Sequence, residues 1–431
     1  MPYYEHLFTP IQIGNMTVPN RICHVPTDVS SSNADGSVSE RDIHHHSQIA
    51  KGGVGLIIVG ATSPDGKTGR PTVTGLVADD DNFIPGLARL AESMHKYGAK
   101  CVVQLQHPGR QCAIPRYNTM SATDMVVKLP WSAGHEIVYE NAEEKGKPVR
   151  AMTTEEVVDM VDKFSEAAWR VKQAGFDGVD IKSCHRYLLS ELLASHTREG
   201  RYGGSFKNRS RFLLRTIEAV RKAVGDDFIV ASRFNVFDAH PYPYGFGCDR
   251  EDMWKFDPTE PVALVKKMVE SGVDLLSNSG GNPYYIYPQV TRPFDKSSYG
   301  IPTPAEHPLE SMARLFAFTR TVQQAAGSVP VVGNGYTWLR QFLPYVGAAN
   351  LQNGSCSFVG LGRSSFAYPD APRELKENGC MDPKKCCITC SMCTQIMRDH
   401  GRTGCVIKDS ALYAPLFKEY NAEATAREHR Q

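Results

Sequence analysis

Residues 153–181 read TTEEVVDMVDKFSEAAWRVKQAGFDGVDI, and this stretch decides the fold. Thr153 and Glu156 have the spacing of a helical capping box. Apolar residues then recur at steps of three and four, as in a helix with one buried face: Val157, Val161, Phe164, Ala168 and Val171. Gly175 supplies the stop, and residues 178–181 have the length and composition of a buried parallel strand. A helix followed by a buried strand is the unit from which α/β folds are built.

Seven further runs of four to eight apolar, β-branched-rich residues are bounded by Gly, Pro or Asp. They are residues 21–25, 54–61, 100–105, 228–234, 275–278, 329–333 and 356–360. Helical patterns lie between these runs. The second clearest covers residues 82–97 and ends at Gly98. Eight strands alternating with helices predict a (β/α)₈ barrel. An open doubly wound sheet is the runner-up, but no G-x-G-x-x-G motif follows the first strand.

Composition excludes several classes of function. The chain has 431 residues, of which 41% are hydrophobic, enough for a large core. Its 48 basic and 47 acidic residues leave no field that would attract nucleic acid or an anionic membrane. No apolar run approaches the 18 or so residues of a membrane span. The N-terminus lacks the basic start and apolar core of a signal peptide, so we expect a cytoplasmic protein.

The cysteines are crowded at the end of the chain. Six of the twelve lie between Cys380 and Cys405, and a reducing compartment makes a disulfide framework an unsuitable explanation. A C-x₂-C-x₂-C-x₁₁-C pattern joins Cys387, Cys390, Cys393 and Cys405. Four thiolates hold iron–sulfur or zinc, and three close cysteines with one distant cysteine are more typical of [4Fe–4S]. A third interpretation is that these cysteines are buried or redox-active thiols. The adjacent Cys386 leaves the first ligand ambiguous.

Polar and glycine-rich residues follow several strand candidates. Residues 332–335 (VGNG) and 359–363 (VGLGR) end the seventh and eighth runs, where barrels commonly bind phosphate through backbone N–H groups. Tight turns are the structural alternative. Gln104 leaves the third strand and Arg233 lies on the fifth. An amide and a guanidinium suit a polar heterocycle, and arginine stabilises negative charge on a reduced flavin. A structural salt bridge is the alternative for Arg233.

Three polar residues lie at or just after the end of the fourth strand: Lys182, His185 and Tyr187. A tyrosine hydroxyl can donate a proton to a carbanion, and histidine or lysine can polarise a carbonyl. Ordinary core positions are the competing interpretation. The polar insertion at residues 112–150 follows the third strand and is predicted to be a lid on the substrate side.

Together these features resemble the Old Yellow Enzyme family of FMN-dependent NADH:flavin oxidoreductases. The closer match is its iron–sulfur branch, which includes 2,4-dienoyl-CoA reductase and trimethylamine dehydrogenase. The resemblance covers residues 7 to about 420. Its signatures are residues 7–14, 20–22, 104–110, 174–179, 201–205, 208–209 and 360–363.

The resemblance implies a set of cofactor ligands. Positions lining the flavin are Pro26, Thr27, Asp28, Gly60 and Ala61. Gln104 matches the amide at the pyrimidine edge and Arg233 the arginine near N1 and O2. Residues matching the phosphate cradle are Gly333, Asn334, Gly335, Gly362 and Arg363. Cys387, Cys390, Cys393 and Cys405 match the [4Fe–4S] ligands. Asp28 stands where trimethylamine dehydrogenase attaches its flavin to a cysteine, so the resemblance implies non-covalent FMN.

The resemblance also implies catalytic roles. Tyr187 matches the tyrosine that protonates the substrate carbon. Lys182 and His185 match the pair that holds the substrate carbonyl, with Lys182 in place of the usual histidine. Tyr284 stands near the place of a histidine that dienoyl-CoA reductase uses after its sixth strand.

The implied activity is that of an ene-reductase acting on an α,β-unsaturated carbonyl compound. The second interpretation is an FMN/[4Fe–4S] amine dehydrogenase or oxidative N-demethylase. It rests on His185 and on aromatic residues that could cage a methylated cation: Trp131, Tyr284, Tyr285 and Tyr287. A non-catalytic electron-transfer module is the third.

We expect residues 1–368 to form the FMN-binding barrel and residues 369–431 a [4Fe–4S]-binding extension packed on it. Relatives with the cluster continue into a dinucleotide-binding region, whereas this sequence ends at Gln431. We therefore expect a separate electron-donor protein, with NAD(P)H as the indirect source. Direct hydride delivery from NAD(P)H, with a structural cluster, is the competing hypothesis. Oligomeric state, including a homo-oligomer, stays open.

Overall fold

The computed structural model describes residues 4–72, 74–111, 119–122, 125–128, 138–141, 149–283, 288–293, 305–399 and 401–428. Eight parallel strands form a closed barrel: β1 (Ile22–His24), β2 (Leu56–Ser63), β3 (Lys100–Leu105), β4 (Gly178–Ser183), β5 (Ile229–Phe237), β6 (Leu275–Gly280), β7 (Val331–Gly333) and β8 (Phe358–Leu361). Each strand pairs with the next in sequence, and β8 pairs with β1 to close the barrel. The predicted (β/α)₈ barrel is confirmed.

Eight helices surround the strands: α1 (Glu40–Lys51), α2 (Ile84–His95), α3 (Thr154–Gln173), α4 (Arg211–Val224), α5 (Thr259–Glu270), α6 (Pro308–Ala326), α7 (Leu343–Gln352) and α8 (Ala371–Asn378). The predicted capping box begins α3. The Glu156 N–H donates to Thr153 Oγ1 at 3.2 Å, and the Thr153 N–H donates to Glu156 Oε2 at 2.9 Å. Gly175 follows α3 with a φ of 83°, a conformation that favours glycine.

Two apolar layers hold the barrel together. β2 is buried along its whole length, as expected of a parallel strand covered on both faces. The outer layer lies between the strands and the surrounding helices. The inner layer includes Ile13 and Val18, which belong to a hairpin of Ile11–Ile13 and Met16–Val18. This N-terminal hairpin therefore packs with the interior of the barrel.

Short elements fill the connections. The further strands are Leu76–Val77, Thr119–Ser121, Met125–Lys128, Val138–Asn141 and Val149–Ala151. The further helical turns are Glu5–Phe8, Asp81–Phe83, Gly109–Gln111, Leu188–Leu193, Phe206–Arg209, Pro288–Thr291, Tyr336–Phe342 and Arg363–Ala367. The predicted insertion at residues 112–150 forms two strand pairs where the structure describes it, and its role as a lid stays a prediction.

The described part of this insertion is anchored by a buried carboxylate. Glu191 pairs with Arg110 and also accepts hydrogen bonds from Ser121 Oγ at 2.6 Å and the Ala122 N–H at 3.3 Å. Both members of the ion pair are almost fully buried. The carboxylate therefore ties the insertion to the segment that follows β4.

The C-terminal segment packs against the barrel. It contains α9 (Met392–Arg398) and α10 (Ser410–Glu428). The Thr403 N–H donates to the carbonyl of Val29 at 2.9 Å, and Arg363 donates to Ser391 Oγ at 3.0 Å. Among the described helices, none combines the length and apolar character needed to cross a membrane.

Candidate active site and cysteine cluster

A cavity of about 230 Å³ opens where the barrel strands end. Its lining includes the sequence-predicted residues Pro26, Thr27, Asp28, Gly60, Ala61, Gln104, Lys182, His185, Tyr187, Arg233, Asn334, Gly335, Gly362 and Arg363. Gly333 does not line it, because Gly333 faces Tyr336 and Cys356 within the wall. Tyr284 lies outside the described residues. Barrel topology places all these strand ends on one face, so residues far apart in sequence meet around one space.

A buried carboxylate, Asp180, supports one wall of the cavity. The sequence analysis did not single out this residue. Strand register sets Asp180 opposite Gln104, and Lys182 opposite Arg233. Gln104 Nε2 donates to Asp180 Oδ2 at 2.6 Å. Burial raises the pKa of Asp180 to about 6, although the Gln104 hydrogen bond and the Arg233 charge oppose this effect. Side chains two residues apart on a strand share a face, so the position of Lys182 was the available signal for Asp180.

Gln104 and Arg233 present complementary groups to the cavity. Since the amide nitrogen of Gln104 is engaged by Asp180, its oxygen is left to accept from a ligand N–H. Arg233 donates to the Pro26 carbonyl at 3.4 Å, while its buried Nε has no hydrogen-bond partner among the described residues. A buried donor without a partner is costly. An acceptor and an arginine side by side fit the pyrimidine edge of a flavin.

One side of the cavity carries a cation, a neutral imidazole and a phenol. Lys182 Nζ lies 3.4 Å from the centroid of the Tyr187 ring. Burial lowers the pKa of Lys182 to about 8, so the amine is mostly protonated at pH 7. Burial, together with the charges of Arg233 and Lys182, holds the pKa of His185 well below 6.5. His185 is therefore a neutral hydrogen-bonding group.

His185 is positioned by residues that the sequence analysis missed. Its Nε2 lies 2.8 Å from Ser279 Oγ on β6, and its N–H donates to Asn235 Oδ1 on β5 at 3.3 Å. His185 has a φ of 63°, which non-glycine residues adopt rarely. Ser279 and Asn235 each lie one residue past the end of a predicted strand run, where a polar side chain looks like a boundary and gives no separate signal.

The four cysteines of the predicted cluster line a second, smaller and more enclosed cavity: Cys387, Cys390, Cys393 and Cys405. Cys386 does not line it. Its Sγ donates instead to the carbonyl of Asp382 at 3.4 Å, beside a separate apolar cavity. The geometry therefore favours Cys387 over Cys386 as the first ligand.

The spread of the sulfur atoms distinguishes between metals. In the described part of the chain, the only set of three or more His, Cys, Asp or Glu ligand atoms within 4.8 Å of one another is that of His95, Cys101 and Asp177. No three of the four clustered sulfurs lie within 4.8 Å of one another. A zinc ion with Zn–S bonds of about 2.3 Å would hold its sulfur ligands about 3.8 Å apart. Four thiolates around an enclosed space fit a polynuclear iron–sulfur centre.

The two cavities share a wall. Arg363, Phe366 and Cys393 line both of them. Burial raises the pKa of the Cys393 thiol to about 11, and the Arg363 guanidinium opposes this effect. Backbone N–H groups donate to two other sulfurs: Thr389 to Cys387 at 3.4 Å and Lys408 to Cys405 at 3.3 Å. Such bonds stabilise thiolates and tune the potential of a cluster.

The set of His95, Cys101 and Asp177 lies at the other end of β3 and is a salt-bridge network. Asp177 accepts from His95 Nε2 at 2.7 Å, from Lys100 Nζ at 2.9 Å and from the Cys101 N–H at 2.8 Å. The carboxylate is already satisfied by these donors, so we assign the network a structural role.

Comparison with known proteins gives a consistent set of relatives. Residues 6–245 match the model of the NADH:flavin oxidoreductase / NADH oxidase family. NADH oxidase from Thermoanaerobacter brockii is 30% identical over 394 residues, covering 91% of this chain and 54% of that protein. Cinnamate reductase from Clostridium sporogenes is 28% identical over 414 residues, covering 94% and 57%. The chain thus spans about half the length of these relatives.

Solved structures share the fold. A 2-naphthoyl-CoA reductase complex superposes with a TM-score of 0.73 at 22% identity, covering 97% of this chain and 58% of that one. A morphinone reductase variant superposes with a TM-score of 0.65 at 22% identity, covering 88% and 93%.

Proposed function

Because the chain belongs to the NADH:flavin oxidoreductase / NADH oxidase family, the Old Yellow Enzymes, with FMN as its cofactor, we propose that it reduces the C=C bond of an α,β-unsaturated carbonyl compound. One observation carries the proposal. A single cavity collects Gln104 and Arg233 beside Lys182, His185 and Tyr187, so a heterocycle and a carbonyl substrate have their own binding groups next to each other.

The chain's own residues would hold FMN without a covalent bond. Gln104 and Arg233 face the heterocycle, and the phosphate is assigned to the glycine-rich ends of β7 and β8, at Asn334, Gly335 and Arg363. Gly333, which does not line the cavity, is left out of this assignment. Bound and reduced, FMN supplies the hydride that adds to the β-carbon.

The protein supplies the proton and the polarisation. His185 is neutral and Lys182 is charged, so both can donate hydrogen bonds to a substrate oxygen and withdraw electrons from the C=C bond. Tyr187 would donate its hydroxyl proton to the α-carbon. The nearby ammonium of Lys182 then stabilises the phenolate until solvent returns the proton. Tyr284 keeps its proposed place as a further proton donor.

We propose further that the extension predicted at residues 369–431, which begins with the barrel helix α8, holds a [4Fe–4S] cluster through Cys387, Cys390, Cys393 and Cys405, beside the barrel predicted at residues 1–368. The cluster supplies single electrons. The wall shared by the two cavities, which includes Arg363 and Cys393, supports a route from the cluster to the flavin. The electrons would enter the cluster from a donor protein that draws on NAD(P)H.

The charges of the cavity favour the reductase over the amine dehydrogenase. Lys182 and Arg233 both line it, and a methylated ammonium substrate would be repelled by two fixed cations. The aromatic residues proposed to cage such a cation lie outside the described residues: Trp131, Tyr284, Tyr285 and Tyr287. His185, the other residue on which that interpretation rests, lines the cavity but has a role in both reactions and does not favour the amine reaction.

The test is an anaerobic purification with three matched proteins: native, Cys386→Ser and Cys387→Ser. We expect stoichiometric FMN in all three, and about four irons per chain in the native protein and Cys386→Ser only. Iron retained in Cys387→Ser would contradict the assigned ligand set. With dithionite as reductant, the native protein should convert cinnamaldehyde to the saturated aldehyde, and Tyr187→Phe should lose most of this rate. A protein that reduces no enal, enone or enoate is not an ene-reductase.

The electron route has its own test. Rapid mixing of the native protein with NADH alone should leave the flavin oxidised for many seconds. Fast, stoichiometric bleaching would instead establish direct hydride transfer from NADH and contradict the need for a donor protein.

A further inference from the structure

Lys182 is a buried cation that lacks an anionic partner. Its side chain extends from β4 into the cavity and the residue is only 7% exposed. No carboxylate oxygen of the described residues lies within 4.0 Å of its Nζ, and its close contact is the face of the Tyr187 ring. Asp28 and Asp180 act on it only at longer range. A buried, unpaired charge is costly to the folded protein, so the site is poised to take an anion.

The surroundings of Lys182 strengthen this expectation. Among the described residues, the cavity is lined by four cations, at Lys182, Arg233, Arg292 and Arg363, and by one carboxyl, that of Asp28. Burial raises the pKa of Asp28, and its Oδ1 already accepts from the Ser30 N–H at 2.9 Å. Arg363 and Arg233 are assigned to FMN. Lys182 is left facing the substrate, beside the neutral His185.

Resting on the function proposed above, we propose that the substrate is itself an anion: an α,β-unsaturated carboxylic acid whose carboxylate binds Lys182. A charge-assisted hydrogen bond is about twice as strong as a neutral one, and a carboxylate would compensate the buried ammonium where an aldehyde or ketone would not.

The same contact suits the reaction. Hydride adds to the β-carbon, and the π-electron pair moves through the α-carbon onto the carboxylate, which gains negative charge. The proton of Tyr187 then bonds to the α-carbon, and the phenolate regains a proton from solvent. Lys182 lies beside both places where negative charge develops, so its stabilising effect is larger in the transition state than in the bound substrate.

The test measures binding to the FMN-loaded protein with two unreactive probes of nearly the same shape, benzoate and benzamide. Flavin absorbance reports occupancy of the cavity. We expect benzoate to bind roughly 10- to 100-fold more tightly than benzamide at pH 7, as one charge-assisted hydrogen bond allows. Lys182→Met should abolish this preference. Lys182→Arg, which keeps the charge, should retain most of it and shows that the position tolerates substitution.

Two results would overturn the proposal: equal affinity for the two probes in the native protein, or a preference that survives in Lys182→Met. Turnover separates this failure from failure of the proposed function. A protein that reduces cinnamaldehyde but not cinnamate contradicts the carboxylate substrate and leaves the ene-reductase intact. A protein that reduces neither contradicts the ene-reductase itself.

Discussion

Replacing Asp180 by asparagine is expected to change how stability depends on pH. The pKa of Asp180 rises from 3.8 to about 6 because the carboxyl is buried. A carboxyl whose pKa is raised on folding contributes stability below its ordinary pKa, and this contribution is lost as the pH rises through the folded value. Since one pKa unit corresponds to about 1.4 kcal/mol, the raised pKa of Asp180 costs the folded state about 1 kcal/mol at pH 4.5, where the carboxyl stays protonated on folding, and about 3 kcal/mol at pH 8, where it is ionised.

Asparagine keeps an acceptor for Gln104 but carries no charge, so this cost disappears in the variant. Its buried amide has the same energy at both pH values, which makes the change between them the quantity to measure. We expect the unfolding free energy of Asp180→Asn, relative to native protein, to increase by about 2 kcal/mol from pH 4.5 to pH 8. Denaturant unfolding of the flavin-free protein at both pH values measures this.

Asp177→Asn is the matched control, since Asp177 precedes the same strand. Burial raises the pKa of Asp177, but hydrogen bonds, first from His95 and then from the Cys101 N–H, outweigh it and hold the pKa below 3.8. Its carboxylate therefore stabilises the protein at every pH above its ordinary value of 3.8, so Asp177→Asn should be destabilised by nearly the same amount at pH 4.5 and at pH 8. A pH-independent difference for Asp180→Asn would refute the reasoning.

Three further substitutions, one of them with a matched control, test a buried ion pair, packing beside the cavity and a helix cap. Glu191→Gln leaves the buried guanidinium of Arg110 without its counter-charge and should lower the unfolding free energy by about 3–5 kcal/mol, seen as a large fall in Tm. Gly360→Ala places a methyl 2.6 Å from a carbonyl oxygen of β7. It should lower the unfolding free energy by about 1–3 kcal/mol and weaken FMN retention. In the control Gly75→Ala, the added methyl lies 3.6 Å from its nearest neighbours, so the unfolding free energy should be nearly unchanged. Thr153→Ala removes the cap of α3 and should cost about 1 kcal/mol.

The barrel could be predicted from sequence because its strands are buried on both faces and leave unbroken apolar runs. The ends of the runs were less certain. The fifth run was predicted to end at residue 234, but β5 continues to Phe237. The polar Asn235 interrupts the run, yet it is buried and donates to Asp238 Oδ1 at 2.7 Å. A satisfied polar side chain in a strand looks like a boundary until its partner is known.

The candidate site, like the barrel, could be predicted from the sequence only in part. Motifs place residues at strand ends, which was enough to gather Lys182 and Arg233 around one cavity. Sequence cannot choose between Cys386 and Cys387, because adjacent identical residues differ only in the direction the backbone gives them. Nor does it show Asp180 as special, since a carboxylate inside an apolar run gives no hint of which buried group will hydrogen-bond to it.

The wall common to the two cavities has a kinetic consequence. In an enzyme where one opening serves both reductant and substrate, the two must take turns, and excess of either blocks the other. Here, electrons that reach the flavin from the cysteine cluster would leave the opening of the larger cavity, near Lys182, free for substrate at all times. Rates would then saturate independently in donor and acceptor, without the mutual inhibition of a ping-pong cycle.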